Sequence, residues 1–281
     1  VGTELPEGPV TVDWAALREC FREAVREHLA GWSTPSRLYG EEQLAFALGR
    51  LDAGVGLVRY VEAAATRRTS AVRDVLDVGA GNGGVALAFA NCRRYRVSAV
   101  DVGPNRVLRR VARSTALRLD YCLADGQRLP YAPQSFDLVL LVETIEHVPS
   151  AGRLGREIMR ILRPGGQCFV TTPARGRFLL RPDPHYAVRG IAGLPNPLQR
   201  FVVNRIARRR VIAADGRSWP AYDVEHLFWH VREVARLFPG LDGYEALYDS
   251  PPLGGPFLSR GWWRRTLRGF LFDHIVITKG A

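Results

Sequence analysis

Apolar residues at Trp14, Leu17, Phe21, Val25 and Leu29 recur three and four positions apart, so the spacing predicts an amphipathic helix over residues 12–31. The stretch GWSTPSRLYG breaks it with Gly and Pro, and a second helical region covers about 41–66. From residue 72 the pattern changes. VRDVLDVGA is a short apolar run ending in glycines, which predicts a buried strand. GGVALAFANC predicts a helix, YRVSAVDVG a second strand, and PNRVLRRVARST a helix with Pro104 in its first turn. LDYCLAD is the third strand. SFDLVLLVE is the fourth, with almost no alternation, as expected of a strand covered on both faces. GRLGREIMRILR predicts a helix ended by Pro164-Gly165-Gly166, and QCFVTTP a fifth strand.

After that strand the rhythm stops for nearly fifty residues rich in Pro, Gly and Arg, within which NPLQRFVVNRIARRR has the pattern of a basic amphipathic helix. It resumes with DVEHLFWHVREVARLF as a helix, GYEALYD as a sixth strand and HIVITK as a seventh. Strands alternating with helices predict an α/β fold, a parallel sheet with helices on both faces. The 281 residues suffice for one such domain with additions, or for two small domains. At 47% hydrophobic and 24% charged, the composition is globular.

Charge adds a regional feature. The net charge is +11, and Lys279 is the single lysine among 39 basic residues, a bias that genomic base composition also produces. Residues 174–221 hold ten Arg against two Asp, and residues 251–271 hold four Arg and no acid. The excess positive charge therefore belongs to two segments and not to the whole surface. Cys20, Cys92, Cys122 and Cys168 are scattered without metal-type spacing and read as reduced thiols. Residues 1–30 carry charges throughout and no apolar leader segment, and no run reaches the ~18 apolar residues of a spanning helix. A cytoplasmic protein is the expectation.

The most informative stretch is DVLDVGAGNGG. Gly79-Ala80-Gly81-Asn82-Gly83-Gly84 fits G-x-G-x-x-G, a turn that lets a ligand approach the backbone and the start of the next helix. That pattern alone does not separate dinucleotides from other nucleotide-like ligands. Asp77, two residues earlier, does: its charge would repel a pyrophosphate and favour a cationic ligand. Asp101 ends the second strand, where an acid can take both ribose hydroxyls, and Asp125-Gly126 follows the third. LVETIEHV follows the fourth, and LRPGG precedes the fifth.

With these pieces in place, the sequence resembles the class I S-adenosylmethionine (SAM)-dependent methyltransferases, in particular the group around the ubiquinone and menaquinone methyltransferases. The resemblance rests on VLDVGAGNGG, AVDVGPNRV, ADGQRLPYAPQSFDLVLLVETIEHV and RILRPGGQCFVTTP, in the family's order and spacing, over roughly residues 72–173. It implies a Rossmann-like seven-stranded sheet of order 3-2-1-4-5-7-6 with the last strand antiparallel, and SAM as cofactor. It also implies that Asp77, Gly79, Ala80, Gly81 and Asn82 surround the methionine part of SAM. Asp101 and Val102 would hold the ribose and one adenine face, and Asp125 and Gly126 the adenine edge. Val142, Glu143 and His147 would lie beside the sulfonium. Arg106 stands where the family often has a long apolar residue over the adenine, a departure from the pattern.

Methyl transfer from a sulfonium is an in-line displacement, so the main task is to hold nucleophile and methyl group aligned. A base helps when the acceptor is a hydroxyl. His147 and His185 are the catalytic candidates, with Tyr186 and His226 behind them. His226 and His230 are one helical turn apart, but no third ligand accompanies them and no metal is expected. The expected organisation is an N-terminal helical cap over 1–70 and a methyltransferase domain over 71–281, whose insertions 174–221 and 251–271 form an acceptor lid. By the topology both basic segments, aided by Trp32, Arg37 and Tyr39, rise over the transfer site. The expected acceptor is then a small molecule, anionic or aromatic, methylated on oxygen, with the preference for oxygen coming from the family's mix of activities.

Other readings stay open. A lipid-like acceptor at a membrane surface would fit Leu198, Phe201, Val202 and Ile206 set among arginines. RNA methylation would fit the sequence pI of about 10.1, but the residues after the fourth strand, Glu143-Thr144-Ile145-Glu146, are not those of adenine-N6 chemistry. A SAM-binding protein without transfer activity and an NAD oxidoreductase complete the set.

Overall fold

The computed structural model describes residues 9–30, 37–65, 71–178, 190–206, 210–212, 218–220, 228–247 and 274–280. Two helices open the chain, α1 (Trp14–Ala30) and α2 (Arg37–Ala65). The alternating part follows as β1 (Asp74–Val78), α3 (Gly84–Asn91), β2 (Arg96–Asp101), α4 (Arg106–Thr115) and β3 (Leu119–Leu123). It continues with β4 (Phe136–Val142), α5 (Ala151–Ile161) and β5 (Leu162–Thr171). Beyond it come α6 (Asn196–Phe201), β6 (Arg210–Ile212), β7 (Ser218–Pro220), α7 (Val231–Ala235), β8 (Leu241–Leu247) and β9 (His274–Lys279).

Seven strands form one sheet of order β3-β2-β1-β4-β5-β9-β8, while β6 and β7 form a separate two-stranded ribbon. Counted along the sheet's own strands, this is the expected order 3-2-1-4-5-7-6. β1 to β5 run parallel, and β9 is antiparallel to both β5 and β8. The register brings the strand ends to one edge: Asp101 opposes Leu123, Val142 opposes Thr171, and Thr171 opposes His274.

Side chains alternate between the two faces along each strand. Val75, Val97, Ala99, Leu138, Leu140, Phe169 and Val276 join the cluster under α1 to α4. Leu76, Val78, Val100, Val139, Leu141, Val170 and Ile275 join the cluster under α5 and α7. Every residue of α3 is buried, because α2 lies over it. The approach is close: a Cβ on Gly54 would stand 2.8 Å from Ala88 Cβ, and one on Gly84 would stand 2.7 Å from Leu51 N. α1 lies against α4 and α2, with a 3.1 Å ion pair from Arg18 to Asp52. The N-terminal helices thus share the core of one sheet face.

Four details differ from the sequence expectation. Pro104 precedes the cap residue Asn105, whose side-chain oxygen accepts from Leu108 N–H at 2.8 Å, so it stands ahead of the first turn of α4. β5 begins at Leu162, before Pro164-Gly165-Gly166, because Leu162 already pairs with Phe136. The ladder then shifts register to Leu138–Gln167, and Gly165 absorbs the irregularity at φ +71°. The basic amphipathic segment is α6 followed by a π-helical turn over Val202–Ile206; residues 207–209 lie outside the described residues, and Arg210 already belongs to β6. Of the expected late helix, residues 223–227 lie outside the described residues; Phe228 bridges to Ala174 and α7 starts at Val231. Among the described residues no helix is long and apolar enough to cross a membrane.

Gly155 of α5 gives a sharp test of this packing. A Cβ there would stand 2.0 Å from the Leu237 carbonyl oxygen, whereas one on Gly49 of α2 meets nothing within 4 Å. Gly155→Ala is expected to cost at least ~1–3 kcal/mol through overpacking. Gly49→Ala is expected to be neutral, or stabilising by ~0.5–1 kcal/mol through its helix interior. Denaturant unfolding of the two variants side by side checks the contrast, and equal effects would contradict the packing of α5 against the turn that follows α7.

Candidate functional site

The glycine loop leaves β1 at the carboxyl edge. Gly79 turns the chain at φ +75°, where a Cβ would come within 2.4 Å of Thr144 Oγ1. Gly81 has φ +51° and nothing within 4 Å of a Cβ position, so this part of the loop faces open space. Gly79 and Ala80 N–H groups donate to Val100 carbonyl oxygen at 2.9 and 3.1 Å. At the start of α3, cap residue Gly83 supplies no side-chain hydrogen bond, which leaves that helix end to backbone donors.

Asp101 ties the loop to β2. Its Oδ2 accepts from Gly81 N–H at 2.8 Å and its Oδ1 from Gly103 N–H at 3.0 Å. Asn105 Nδ2 donates to the Gly81 carbonyl oxygen, fastening the same loop from α4. Val102, next to Asp101, is 79% exposed, an apolar side chain presented at the edge. After β3, Asp125 Oδ1 accepts from Gln127 N–H at 2.8 Å, and its carboxylate also receives Gln127 Nε2. Gly126 stands beside Val78 and Leu154, where a Cβ would meet both at 3.0–3.1 Å. Acids from three neighbouring strands thus stand at one edge.

Asp77 is the chemically distinctive member. It is buried, and among the described residues its Oδ2 has no hydrogen-bond partner. Burial pushes its carboxyl up to about 7, and Asp101 adds to the rise. The Ala86 amide and the Arg50 charge act in the opposite direction. An inward carboxylate oxygen without a partner fits a cationic donor such as an ammonium group, and it would repel a pyrophosphate.

β4 supplies the opposite wall. Thr144 Oγ1 donates to the Val78 carbonyl oxygen at 3.0 Å, joining the ends of β1 and β4. Val142 packs against the α1–α4 cluster. Glu143 adopts φ +49°, a left-handed conformation uncommon for a residue with a side chain. Its N–H is held by Thr171, by the carbonyl oxygen at 3.0 Å and by Oγ1 at 2.9 Å. Its carboxylate pairs with Arg50 of α2. His147 lies exposed in the turn that follows, its N–H donating to Thr144 carbonyl oxygen at 3.0 Å.

The remaining expected residues lie elsewhere. Arg106 opens α4 and is exposed; its charge, after burial, is the second cause holding the His28 imidazole below its ordinary value. His185, Tyr186, His226, Trp32 and the whole of 251–271 lie outside the described residues, while Arg37 and Tyr39 belong to the first turn of α2. His230 caps α7 from an extended backbone, its Nδ1 accepting from Arg232 N–H at 3.0 Å, so it does not sit within a helix. Among the described residues no group of three His, Cys, Asp or Glu is placed to hold a metal. Arg175, counted in the first basic segment, is buried: it stacks 4.8 Å over Trp229 and donates to Leu194 carbonyl oxygen. Arg50, Thr144 and Thr171 escaped the sequence reading, because an arginine inside a helix and two threonines near strand ends carry no local signal. Asn105 did carry one, as a cap-type residue before an apolar-periodic run.

Comparison with known proteins agrees with this geometry. Residues 76–170 match the family model of a methyltransferase domain. An uncharacterized methyltransferase of a Mycobacterium species is 39% identical over 139 residues, covering 50% of this chain and 51% of the relative. The 27-O-demethylrifamycin SV methyltransferase of Amycolatopsis mediterranei is 34% identical over 114 residues, covering 39% and 40%. The chain spans about half the length of the curated relatives it matches, or less. The solved structure of the YcgJ protein of Bacillus subtilis has the same fold, with a TM-score of 0.50 at 18% identity, covering 82% of this chain and 99% of that one. Together with the sheet order, these matches identify a class I SAM-dependent methyltransferase domain around residues 76–170. The methyl donor of such a domain is SAM.

The raised carboxyl of Asp77 gives a pH test. A folded value of about 7 against the ordinary 3.8 of an aspartate means that the native state binds this proton more tightly. The contribution is complete below about pH 4 and is lost as pH rises through about 7. Asp77→Asn removes it, so the variant should gain on the ligand-free wild type by up to a few kcal/mol between pH 4 and 8, a window following from that shift. Guanidinium unfolding of both proteins across that range reads the difference, and a pH-independent offset would contradict the burial of this carboxylate.

Proposed function

We propose that this protein transfers the methyl group of SAM to a hydroxyl of a small anionic or aromatic molecule. The observation that carries the donor half is Asp77, behind an open glycine loop, a buried carboxylate one oxygen of which has no hydrogen-bond partner among the described residues. In this reading Asp77, Gly79, Ala80, Gly81 and Asn82 surround the methionine end, and Asp101 holds the ribose. The exposed Val102 offers its apolar surface to one adenine face, with Asp125 and Gly126 at the ring edge. Val142, Glu143 and His147 stand near the sulfonium, and Arg106 stacks over the adenine. Bound SAM supplies an electrophilic methyl group. The chain aligns the acceptor with it and takes up the hydroxyl proton, a role for His147 or His185.

For the acceptor half, support comes from charge and from relatives. The name of the Amycolatopsis relative specifies an oxygen position. The arginine-rich segments 174–221 and 251–271 cover the acceptor side in this reading, and residues 1–70 the donor side. Arg200 and Arg205 are exposed on α6 and the turn after it, available to an anion. One observation favours a second reading. Leu198, Phe201 and Ile206 are 45%, 54% and 65% exposed beside those arginines, a surface suited to a lipid-like acceptor presented by an anionic membrane.

Calorimetric titration of the purified protein with SAM, S-adenosylhomocysteine and NADH tests the donor half. SAM and S-adenosylhomocysteine are expected to bind and NADH is not. Asp101→Ala should weaken both by roughly 10–100-fold, as loss of charge-assisted hydrogen bonds does. Binding of NADH alone would overturn the reading. Sedimentation with anionic vesicles, compared for wild type and Phe201→Ser, separates the second reading from the first.

A further inference from the structure

α2 brings a charged side chain to the glycine loop that no motif of the domain contains. A Cβ on Gly84 would stand 3.0 Å from Arg50 C and 3.2 Å from Arg50 Cβ, so Arg50 starts against the loop where α3 begins. It ends at Glu143, on the other wall, in an ion pair. Between these points its charge acts on Asp77. Phe46, one turn earlier, holds the guanidinium 4.8 Å from its ring centre.

Stability does not explain this pair. The Arg50 and Glu143 side chains keep 21% and 38% exposure, and partly exposed ion pairs contribute little. Glu143 meanwhile holds a left-handed backbone, a local cost that concentrates at functional sites. The pair joins the two walls between which the methionine end of the donor belongs. Its two charges are those an α-amino acid needs: a guanidinium for the carboxylate and a carboxylate for the ammonium. Including Asp77, the site carries one more carboxylate than guanidinium. SAM carries at the same end an ammonium and a sulfonium against one carboxylate.

We propose that the Arg50–Glu143 pair is the seat of the donor's α-amino-acid group. The pair opens on binding; the ligand carboxylate takes the fork of Arg50, and the ammonium takes Glu143 together with Asp77. The inference rests on the donor reading given above. It makes the N-terminal helix α2 part of the binding site and not only part of the core.

The test compares three ligands on the full chain: S-adenosylhomocysteine, its decarboxylated analogue that keeps the amine, and methylthioadenosine, which lacks the whole amino-acid group. Arg50→Met is expected to weaken S-adenosylhomocysteine roughly 10–100-fold, the scale of a lost charged hydrogen bond. The other two ligands should change by no more than about twofold, within ordinary context dependence. Glu143→Gln should weaken S-adenosylhomocysteine and the decarboxylated amine and spare methylthioadenosine. Retained methylthioadenosine binding shows that the fold survives; if Arg50→Met loses it, Arg50→Lys carries the same comparison, the fork being lost and the charge kept. Equal losses for all three ligands in Arg50→Lys, or unchanged S-adenosylhomocysteine binding in a folded Arg50 variant, overturn the inference. Wild type that binds none of the three ligands removes the donor reading itself.

Discussion

Burying the Asp77 carboxylate near the carboxyl end of β1 is the constraint around which the carboxyl edge is arranged. A carboxylate taken out of water must be neutralised, paired or supplied with donors. Here burial raises its proton affinity, with the Ala86 amide and the Arg50 charge as partial compensation. The compensation needs α3 to begin beside β1, hence a tight glycine turn. It also needs α2 to lie on α3, hence the small residues Gly54, Gly84 and Ala88 at that contact. The strand, the loop and two helices are coupled through one ionisable group.

The rest of the edge is fastened by polar groups that do two things at once. Asp101 holds the loop by its side chain and joins the end of β3 by its backbone, its carbonyl oxygen accepting from Ala124 N–H at 3.0 Å. Thr144 bonds the end of β1 from the end of β4 and fills the space that a side chain on Gly79 would need. Thr171 fixes Glu143 from β5. Such cross-strand contacts hold a site within the narrow tolerance that binding and alignment require. A second polar group sits at the opposite edge, where Arg163 reaches Asp74 and Asp137 at 2.8 and 2.7 Å. Arg96 first and Arg163 after it hold the Asp74 carboxyl below its ordinary value; against its burial, the Asp74 amide, Arg163 and the Arg73 amide do the same for Asp137, and the amino ends of β1 and β4 are secured.

The described part of the first basic segment shows that its arginines are not equivalent. Arg175 is buried against Trp229 and Leu194 and anchors the segment near α7. Ile191 and Val203 pack together with Leu194 and Val202, and Gln199 Nε2 donates to Leu194 carbonyl oxygen at 2.8 Å. Arg200 and Arg205 point their charge outward beside exposed apolar residues. Positive charge counted along the chain therefore divides into a structural share and a surface share.

The individual strands, the glycine loop and the acids at three strand ends were legible in the sequence, because each is a local signal, whereas the order of the strands came from the resemblance to the methyltransferases. Buried strands show as apolar runs, a tight turn needs glycine, and acids at three successive strand ends exceed what turns and caps alone require. Where the helix gives way to β5 was not legible, since the pairing of Leu162 with Phe136 overrides the breakers Pro164 and Gly165. Nor was the late start of α7, since the Phe228–Ala174 bridge takes residues whose pattern was helical. The sequence by itself determined the class of sheet and the chemistry of its edge. The tertiary structure alone decided that Arg50, 93 residues before Glu143, meets it across the glycine loop. Such a contact depends on how closely two helices approach, and that distance is set by packing, which no spacing along the chain encodes.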